Sequence, residues 1–206
     1  MDDLFALPPS SGIRLDMTDA EVVFYAHVLT PSEASEVFSV LQAETQWRAE
    51  KVFVWGKWHE QPRRVAWYGD AGTEYTYSGS RLQPTEWTAT LRQLREKIEA
   101  LSGSQFNSVL LNYYRNEKDH MGWHSDNEPE LGDSPTIASL SLGAARVFQF
   151  KRKDKKGGVN SVELTSGSVI VMSGATQRHW VHCIRKETRM HDPRINLTFR
   201  QIRRRK

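Results

Sequence analysis

RINLTFR, running from Arg194 to Arg200, decides how the C-terminal half of this chain folds. Side chains alternate across a β-strand. Arg194, Asn196, Thr198 and Arg200 therefore share one face, while Ile195, Leu197 and Phe199 share the other. A strand apolar on one face and carrying two arginines on the other lines a polar cavity inside a barrel or sandwich. Two inward guanidinium groups are costly to bury unless anions neutralise them. A dicarboxylate suits the pair, because guanidinium binds carboxylate through two parallel hydrogen bonds. Upstream, NYYRNEKDHMGWHSDNE (Asn112 to Glu128) opens with Asn112 and Tyr114 on one strand face, where both can donate to the same anion.

The same stretch carries His124 and Asp126 two residues apart, which puts both side chains on one side of an extended chain. They supply two ligands of a two-histidine, one-carboxylate iron site, whose opposite face stays open for cosubstrate and dioxygen. A third ligand has to come from a strand brought alongside, and RHWVHCI (178–184) offers His179 and His182. Zinc hydrolases usually show His-Glu-x-x-His or cysteine clusters, and neither pattern occurs here. A metal triad together with a dicarboxylate pocket reads as an oxygenase.

Outward from these motifs, the chain after residue 105 is a series of short strands: SVLLNYY, TIASLSLG, RVFQFK, SVELTSG, SVIVMSG, HWVHCIRK and RINLTFRQI. Glycine, aspartate, asparagine and lysine-rich turns separate them. Seven or eight such strands without intervening helices predict an antiparallel sandwich or barrel. Before them, Thr30, Pro31 and Glu33 form the capping box of a helix that puts Ala34, Val37, Phe38 and Leu41 on one face. A second helix is expected from about Pro84 to Ser102, with Trp87, Leu91, Leu94, Ile98 and Leu101 on its inner face and Gly103 ending it. Between the helices, VFVW and RVAWY predict strands. The fold class is mainly β with flanking helices (α+β). The expected organisation is a loosely ordered segment over 1–14 and one domain over 15–206, with an aromatic lid at about 50–80 and a core at about 105–202.

A chain of 206 residues is long enough for one well-buried domain. No stretch approaches the ~18 apolar residues that cross a membrane, and the acidic start MDDLFALPPSSG lacks the pattern of a secretory leader. Cys183 is the only cysteine, so no internal disulfide forms. An intracellular monomer is expected. The net charge of +3 is modest, but it gathers in KRKDKK (151–156), RKETR (185–189) and the tail 203–206, which favours a polyanion partner.

Taken in order, N-x-Y, H-x-D-x-E, a later histidine and R-x-N-x-x-x-R resemble the AlkB family of Fe(II)/2-oxoglutarate dioxygenases, over about Val52 to Ile202. GKWHEQPRRVAWYGDAGTEYTYSG resembles most the branch that repairs duplex DNA. The resemblance implies a double-stranded β-helix, or jelly-roll, core with the N-terminal helices packed on its sheet. It implies that His124, Asp126 and His182 bind Fe(II), His182 being favoured over His179 by its distance from Arg194. Arg200 and Asn112 would hold the C1 carboxylate of 2-oxoglutarate, and Arg194 and Tyr114, with Asn196 nearby, its distal carboxylate.

The chemistry implied is removal of N-alkyl groups from 1-methyladenine and 3-methylcytosine in DNA. Decarboxylation of 2-oxoglutarate, with O2 as oxidant, is coupled to hydroxylation of the alkyl group and loss of formaldehyde. A base inside a duplex has to be flipped out to react. By the resemblance, Tyr75, Tyr77 and Ser78 line the lesion pocket and Glu128 accepts from the exocyclic amine. Trp55 stands where the branch usually has a phenylalanine that wedges into the base stack, and the resemblance implies the same role for it. Lys57, Arg63, Arg64, Arg185, Lys186 and Arg189 are the expected phosphate contacts. RNA or single-stranded DNA is the alternative substrate, and an inactive nucleic-acid-binding protein the alternative class. The compartment is then the cytoplasm of a bacterium or the nucleus of a eukaryote.

Overall fold

A computed structural model describes residues 11–203 apart from 55, 74, 78 and 79. It opens with two strands that the sequence reading passed over, β1 (Ile13–Arg14) and β2 (Glu21–Tyr25). Helix α1 (Pro31–Glu44) starts where the capping box predicts. Thr30 Oγ1 accepts from the Glu33 N–H at 3.2 Å, and Glu33 Oε2 accepts from the Thr30 N–H at 2.6 Å. Two N–H groups that a helix start leaves without partners are thereby satisfied.

Strands β3 (Lys51–Val54) and β4 (Lys57–Glu60) form a hairpin apart from the main sheets. After β5 (Arg64–Gly69), a second hairpin joins β6 (Tyr75–Tyr77) to β7 (Ser80–Leu82). Helix α2 (Ala89–Ser102) begins later than Pro84, because Thr88 Oγ1 takes the Leu91 N–H at 3.2 Å and sets the cap there. Gly103, at φ 65°, ends it in the left-handed conformation that glycine adopts without strain.

The remaining strands are β8 (Ser108–Tyr114), β9 (Met121–His124), β10 (Ile137–Gly143), β11 (Arg146–Arg152), β12 (Asn160–Leu164), β13 (Val169–Ser173), β14 (Trp180–Ile184) and β15 (Arg194–Arg200). A single 3-10 turn (Pro129–Leu131) precedes β10, and a one-turn helix, α3 (Thr176–His179), precedes β14. Strand β14 is therefore shorter at its start than HWVHCIRK suggests, because His179 belongs to α3.

The strands assemble into two antiparallel sheets, in the orders β1-β2-β13-β10-β15-β8-β5 and β12-β11-β14-β9. This is the jelly-roll core. Ile195, Leu197 and Phe199 of β15 face the helices and pack with Ala34, Leu41, Leu91, Leu94 and Ile98. The other face of the large sheet meets the small one, where Leu110, Ile137, Ile170 and Met172 pack with Phe148, Phe150, Trp180 and Ile184. Truncating a fully buried leucine in such a layer, Leu91 for instance, costs about 2–5 kcal/mol. Strand β15 is central, between β10 and β8, so its polar face looks into the space between the sheets.

Candidate metal centre and cosubstrate pocket

His124 closes β9 and lies in register with His182 in the middle of β14. Their ring centroids are 4.3 Å apart, edge to face. Asp126 sits two residues past the end of β9, 2% exposed, with Oδ1 3.8 Å from His124 Nε2. The ligand atoms of His124, Asp126 and His182 all lie within 4.8 Å of one another. His179 ends α3 and stands outside this cluster, which takes His182, the histidine that the resemblance favoured. His124 Nδ1 is 2.9 Å from the Gly122 carbonyl. A carbonyl only accepts, so Nδ1 carries the proton and Nε2 keeps its lone pair for a metal.

Electrostatics put the three groups in ligating form. Burial pushes His182 down to about 3, with the His124 charge adding to it. Burial also lowers His124, partly opposed by Asp126. For Asp126, burial alone would raise the pKa, but Arg200 and then the two imidazoles outweigh it and bring the carboxyl down to about 2. At neutral pH the site therefore presents two neutral imidazoles and one carboxylate. Arg200 Nη2 donates to Asp126 Oδ1 at 2.9 Å, with both side chains nearly sealed from solvent.

The pocket beside the triad is lined by Asn112, Tyr114, Arg194, Asn196, Thr198 and Arg200, with apolar walls from Leu110, Met121, Phe148, Met172 and Ile184. All the residues that the sequence assigned to the metal and to 2-oxoglutarate converge here. Arg194 is 1% exposed and crosses the Tyr114 ring at 5.2 Å. Its Nη2 donates to Ser141 Oγ at 2.9 Å, while Nε and Nη1 are buried and make no hydrogen bond to a described group. Burial, and then the charge of Arg146, draw its pKa down to about 10 in spite of Tyr114. A buried cation with two unmatched donors is an anion receptor. The donor set thus fits a carboxylate, and the triad fits a divalent iron.

Sequence reasoning passed over four residues of this site. Ser139 and Ser141 accept from Asn196 Nδ2 (2.6 Å) and Arg194 Nη2. Their signal was legible as serine at alternate positions of the otherwise apolar strand TIASLSLG. Gln177 accepts the Asp126 N–H at 3.0 Å, and no local pattern announces it. Arg146, 2% exposed, hydrogen-bonds Glu187, the Asp119 carbonyl and the Arg185 carbonyl, tying the segments before β9 and after β14 to β11.

The nucleic-acid candidates fare unevenly. Arg63, expected at a phosphate, is 4% exposed and donates from Nε to Asn112 Oδ1 at 2.8 Å. It is a correction: a cation buried on an amide oxygen braces the cosubstrate pocket instead of reaching a strand of DNA. Arg64 is half-exposed and pairs with Glu60 at 3.3 Å. Lys57, Arg185, Lys186 and Arg189 are exposed. Glu128 is half-buried, with Oε2 shielded and without a hydrogen-bond partner among the described residues. Tyr75 and Tyr77 lie on β6, opposite Leu82 and Ser80, and Trp55 and Ser78 fall outside the described residues.

The sequence profile of the 2OG-Fe(II) oxygenase superfamily matches residues 21–200. Human "DNA oxidative demethylase ALKBH2" is 39% identical over 188 residues, which cover 86% of this chain and 72% of that protein. Human "Alpha-ketoglutarate-dependent dioxygenase alkB homolog 3" is 40% identical over 192 residues, 89% of this chain and 66% of that protein. The chain belongs to the AlkB family of 2OG-Fe(II) oxygenases. The resemblance read from five motifs is thereby borne out. An Arabidopsis thaliana "DNA oxidative demethylase ALKBH2" is 31% identical over 209 residues, 89% of this chain and 67% of that one. The solved structure of OsALKBH1 aligns with a TM-score of 0.61 over 87% of this chain and 96% of that chain, at 16% identity, which shows the shared fold. As an AlkB-family dioxygenase the protein uses Fe(II), 2-oxoglutarate and O2. No helix among the described residues is long and apolar enough to cross a membrane.

Proposed function

We propose that this dioxygenase repairs alkylated DNA by oxidatively removing N-alkyl groups from bases, 1-methyladenine and 3-methylcytosine, with duplex DNA favoured. The observation that carries the reading is the His124, Asp126 and His182 cluster beside Arg194, in a chain 39% identical to a protein named DNA oxidative demethylase. When bound, iron would activate O2 with two electrons from 2-oxoglutarate, which leaves as succinate and carbon dioxide, to hydroxylate an N-methyl carbon, after which formaldehyde would leave the restored base.

The chain's own residues hold and exclude. His124, Asp126 and His182 bind the iron, kept in ligating form by burial and by Arg200. Arg194 offers its unmatched Nε and Nη1 to the distal carboxylate of 2-oxoglutarate, with Tyr114 and Asn196 beside it. Arg200 and Asn112 serve the C1 carboxylate, and Arg63 steadies Asn112. Leu110, Phe148, Met172 and Ile184 keep the pocket dry.

The base reaches this pocket only when flipped, and a methyl group on its pairing edge weakens pairing and lowers that cost. Glu128, with its shielded Oε2, accepts from the exocyclic amine. Tyr75, Tyr77 and Ser78 form the lesion pocket, where an aromatic face suits a positively charged methylated base. Trp55 fills the vacated place in the stack. Lys57, Arg185 and Lys186, all exposed, meet phosphates. The reading takes residues 15–206 as one monomeric domain, located with its DNA.

Mass spectrometry of methylated oligonucleotides, after incubation with protein, iron(II), ascorbate and 2-oxoglutarate, tests this. The expected outcome is loss of the methyl mass, faster in duplex than in single-stranded DNA or RNA. Equal turnover of all three removes the duplex preference. Succinate release that methylated oligonucleotide leaves unchanged overturns the nucleic-acid substrate.

A further inference from the structure

We propose that Gln177 is a positioning residue for the metal site, holding Asp126 through its main chain so that the carboxylate faces the two imidazoles. This inference rests on the reading of Asp126 as an iron ligand. Asp126 follows β9 in irregular chain, so no strand neighbour takes its N–H, and the residue is 2% exposed. A buried N–H left without a partner costs about 1–3 kcal/mol. Gln177 Oε1 accepts it at 3.0 Å across 51 positions of sequence.

The amide of Gln177 is spent on this contact. Because the main-chain N–H donates, the facing atom has to be the oxygen. The Gln177 Nε2 is left 3.5 Å from the Met172 sulfur, a weak acceptor. A glutamine 2% exposed that settles for a thioether on its other side is oriented by Asp126.

Its own backbone is pinned. Lys153 Nζ donates to the Gln177 carbonyl at 2.8 Å, and the Lys153 N–H donates to the His179 carbonyl at 2.9 Å. One residue earlier, Thr176 Oγ1 donates to the Ser173 carbonyl at 2.6 Å and accepts the Glu21 N–H at 2.9 Å. The one turn of α3 is therefore a fixed post, and it leads directly into β14 and His182.

The post matters because Asp126 has a competitor for its carboxylate. Arg200 already donates to Oδ1 at 2.9 Å, and guanidinium prefers a two-pronged grip on both oxygens. Without the hold on its main chain, the Asp126 segment is free to turn its second oxygen toward Arg200 and away from His124 and His182. Gln177 opposes that rotation.

Anaerobic calorimetry with Mn(II), an iron substitute that needs no turnover, tests the inference. Gln177→Met keeps the volume and removes the acceptor; its Mn(II) affinity should fall about 10–100-fold, as partners of metal ligands typically show. Its 2-oxoglutarate affinity at saturating Mn(II) should stay within about threefold of wild type, or ~0.7 kcal/mol. Gln177→Glu keeps an acceptor oxygen at the same reach and should restore Mn(II) binding, whatever its melting temperature. A merely structural role would lower the melting temperature of both variants and leave the Mn(II) affinity of both alone, which overturns the inference. Should Gln177→Met not fold, Gln177→Asn, one methylene short of the contact, takes its place with the same expected loss. Asp126→Ala separates the two levels. If it loses Mn(II) binding and the Gln177 variants do not, only the role of Gln177 falls. If it binds Mn(II) like wild type, the triad reading falls with it.

Discussion

Replacing Arg194 with methionine should leave the ligand-free protein as stable as before, or more so, while crippling its hold on 2-oxoglutarate. Arg194 is 1% exposed, and two of its three guanidinium nitrogens have no hydrogen-bond partner among the described residues. Each buried donor left unsatisfied costs about 1–3 kcal/mol, so the side chain burdens the empty protein by about 2–6 kcal/mol. Methionine, similar in volume, removes that burden. It gives up one hydrogen bond to Ser141 Oγ, worth about 1 kcal/mol. The expected change in ligand-free stability is a gain of about 1–5 kcal/mol, in line with replacing buried charges by apolar groups.

The bound state behaves oppositely. Two charge-assisted hydrogen bonds to a carboxylate, at about 1.5–3 kcal/mol each, are lost together. That is about 3–6 kcal/mol, or roughly a 10²- to 10⁴-fold weaker dissociation constant. Urea denaturation of the metal-free protein measures the first effect, and anaerobic calorimetry with Mn(II) and 2-oxoglutarate measures the second. Arg194→Lys should fall between, since an ammonium lacks the planar fork. A methionine variant destabilised by more than about 2 kcal/mol, with 2-oxoglutarate affinity unchanged, would refute the reasoning: Arg194 would then be a structural cation.

Three further outcomes are expected. Asp126→Ala should abolish iron-dependent turnover with native secondary structure by circular dichroism, and should cost about 3–5 kcal/mol in denaturation, since it strips a carboxylate from the buried pair with Arg200; wild-type turnover would contradict the triad. The metal-free protein should lose stability in acid. The folded pKa of His182 is about 3 against an ordinary 6.5, so the unfolded chain binds a proton that the folded one refuses between those values. That stability is complete above about 6.5 and declines as pH falls toward 3; Asp126, at about 2 against 3.8, extends the loss below that window. Melting temperatures of metal-free protein from pH 7 to pH 4 should therefore slope downward, less steeply in His182→Gln, and equal slopes would count against His182 as the source. Trp55→Ala should slow repair of duplex more than of single strands, and equal losses would dismiss the wedge.

Much of the site was legible because its signals are local. The alternation of RINLTFR assigned an apolar face to the helix layer and a polar face to the pocket, and both are as read. The Thr30 to Glu33 capping box set the start of α1 to the residue. Strand β2 escaped notice because its five residues, EVVFY, become a strand by pairing with β13, about 150 positions away. Arg63 misled because PRR reads as a basic run, whereas burial and the Asn112 amide oxygen take that arginine inside. His179 and His182 are both candidates by residue type, and the resemblance favours His182 by its distance from Arg194. The single turn of α3 removes the first from the strand's alternation and leaves the second facing His124.

Periodicity alone determined the polar and apolar faces of RINLTFR and put His124 and Asp126 on one side of the chain, while the third ligand followed from the family resemblance. Those faces are properties of neighbours in the chain, and strand and helix repeats transmit them directly. Only the tertiary structure decided which distant group satisfies each buried charge: Arg200 on Asp126, Ser141 on Arg194, Gln177 on the Asp126 main chain. Those partners are far apart in sequence, so their meeting depends on the register between strands and the packing of two sheets, which no local pattern encodes.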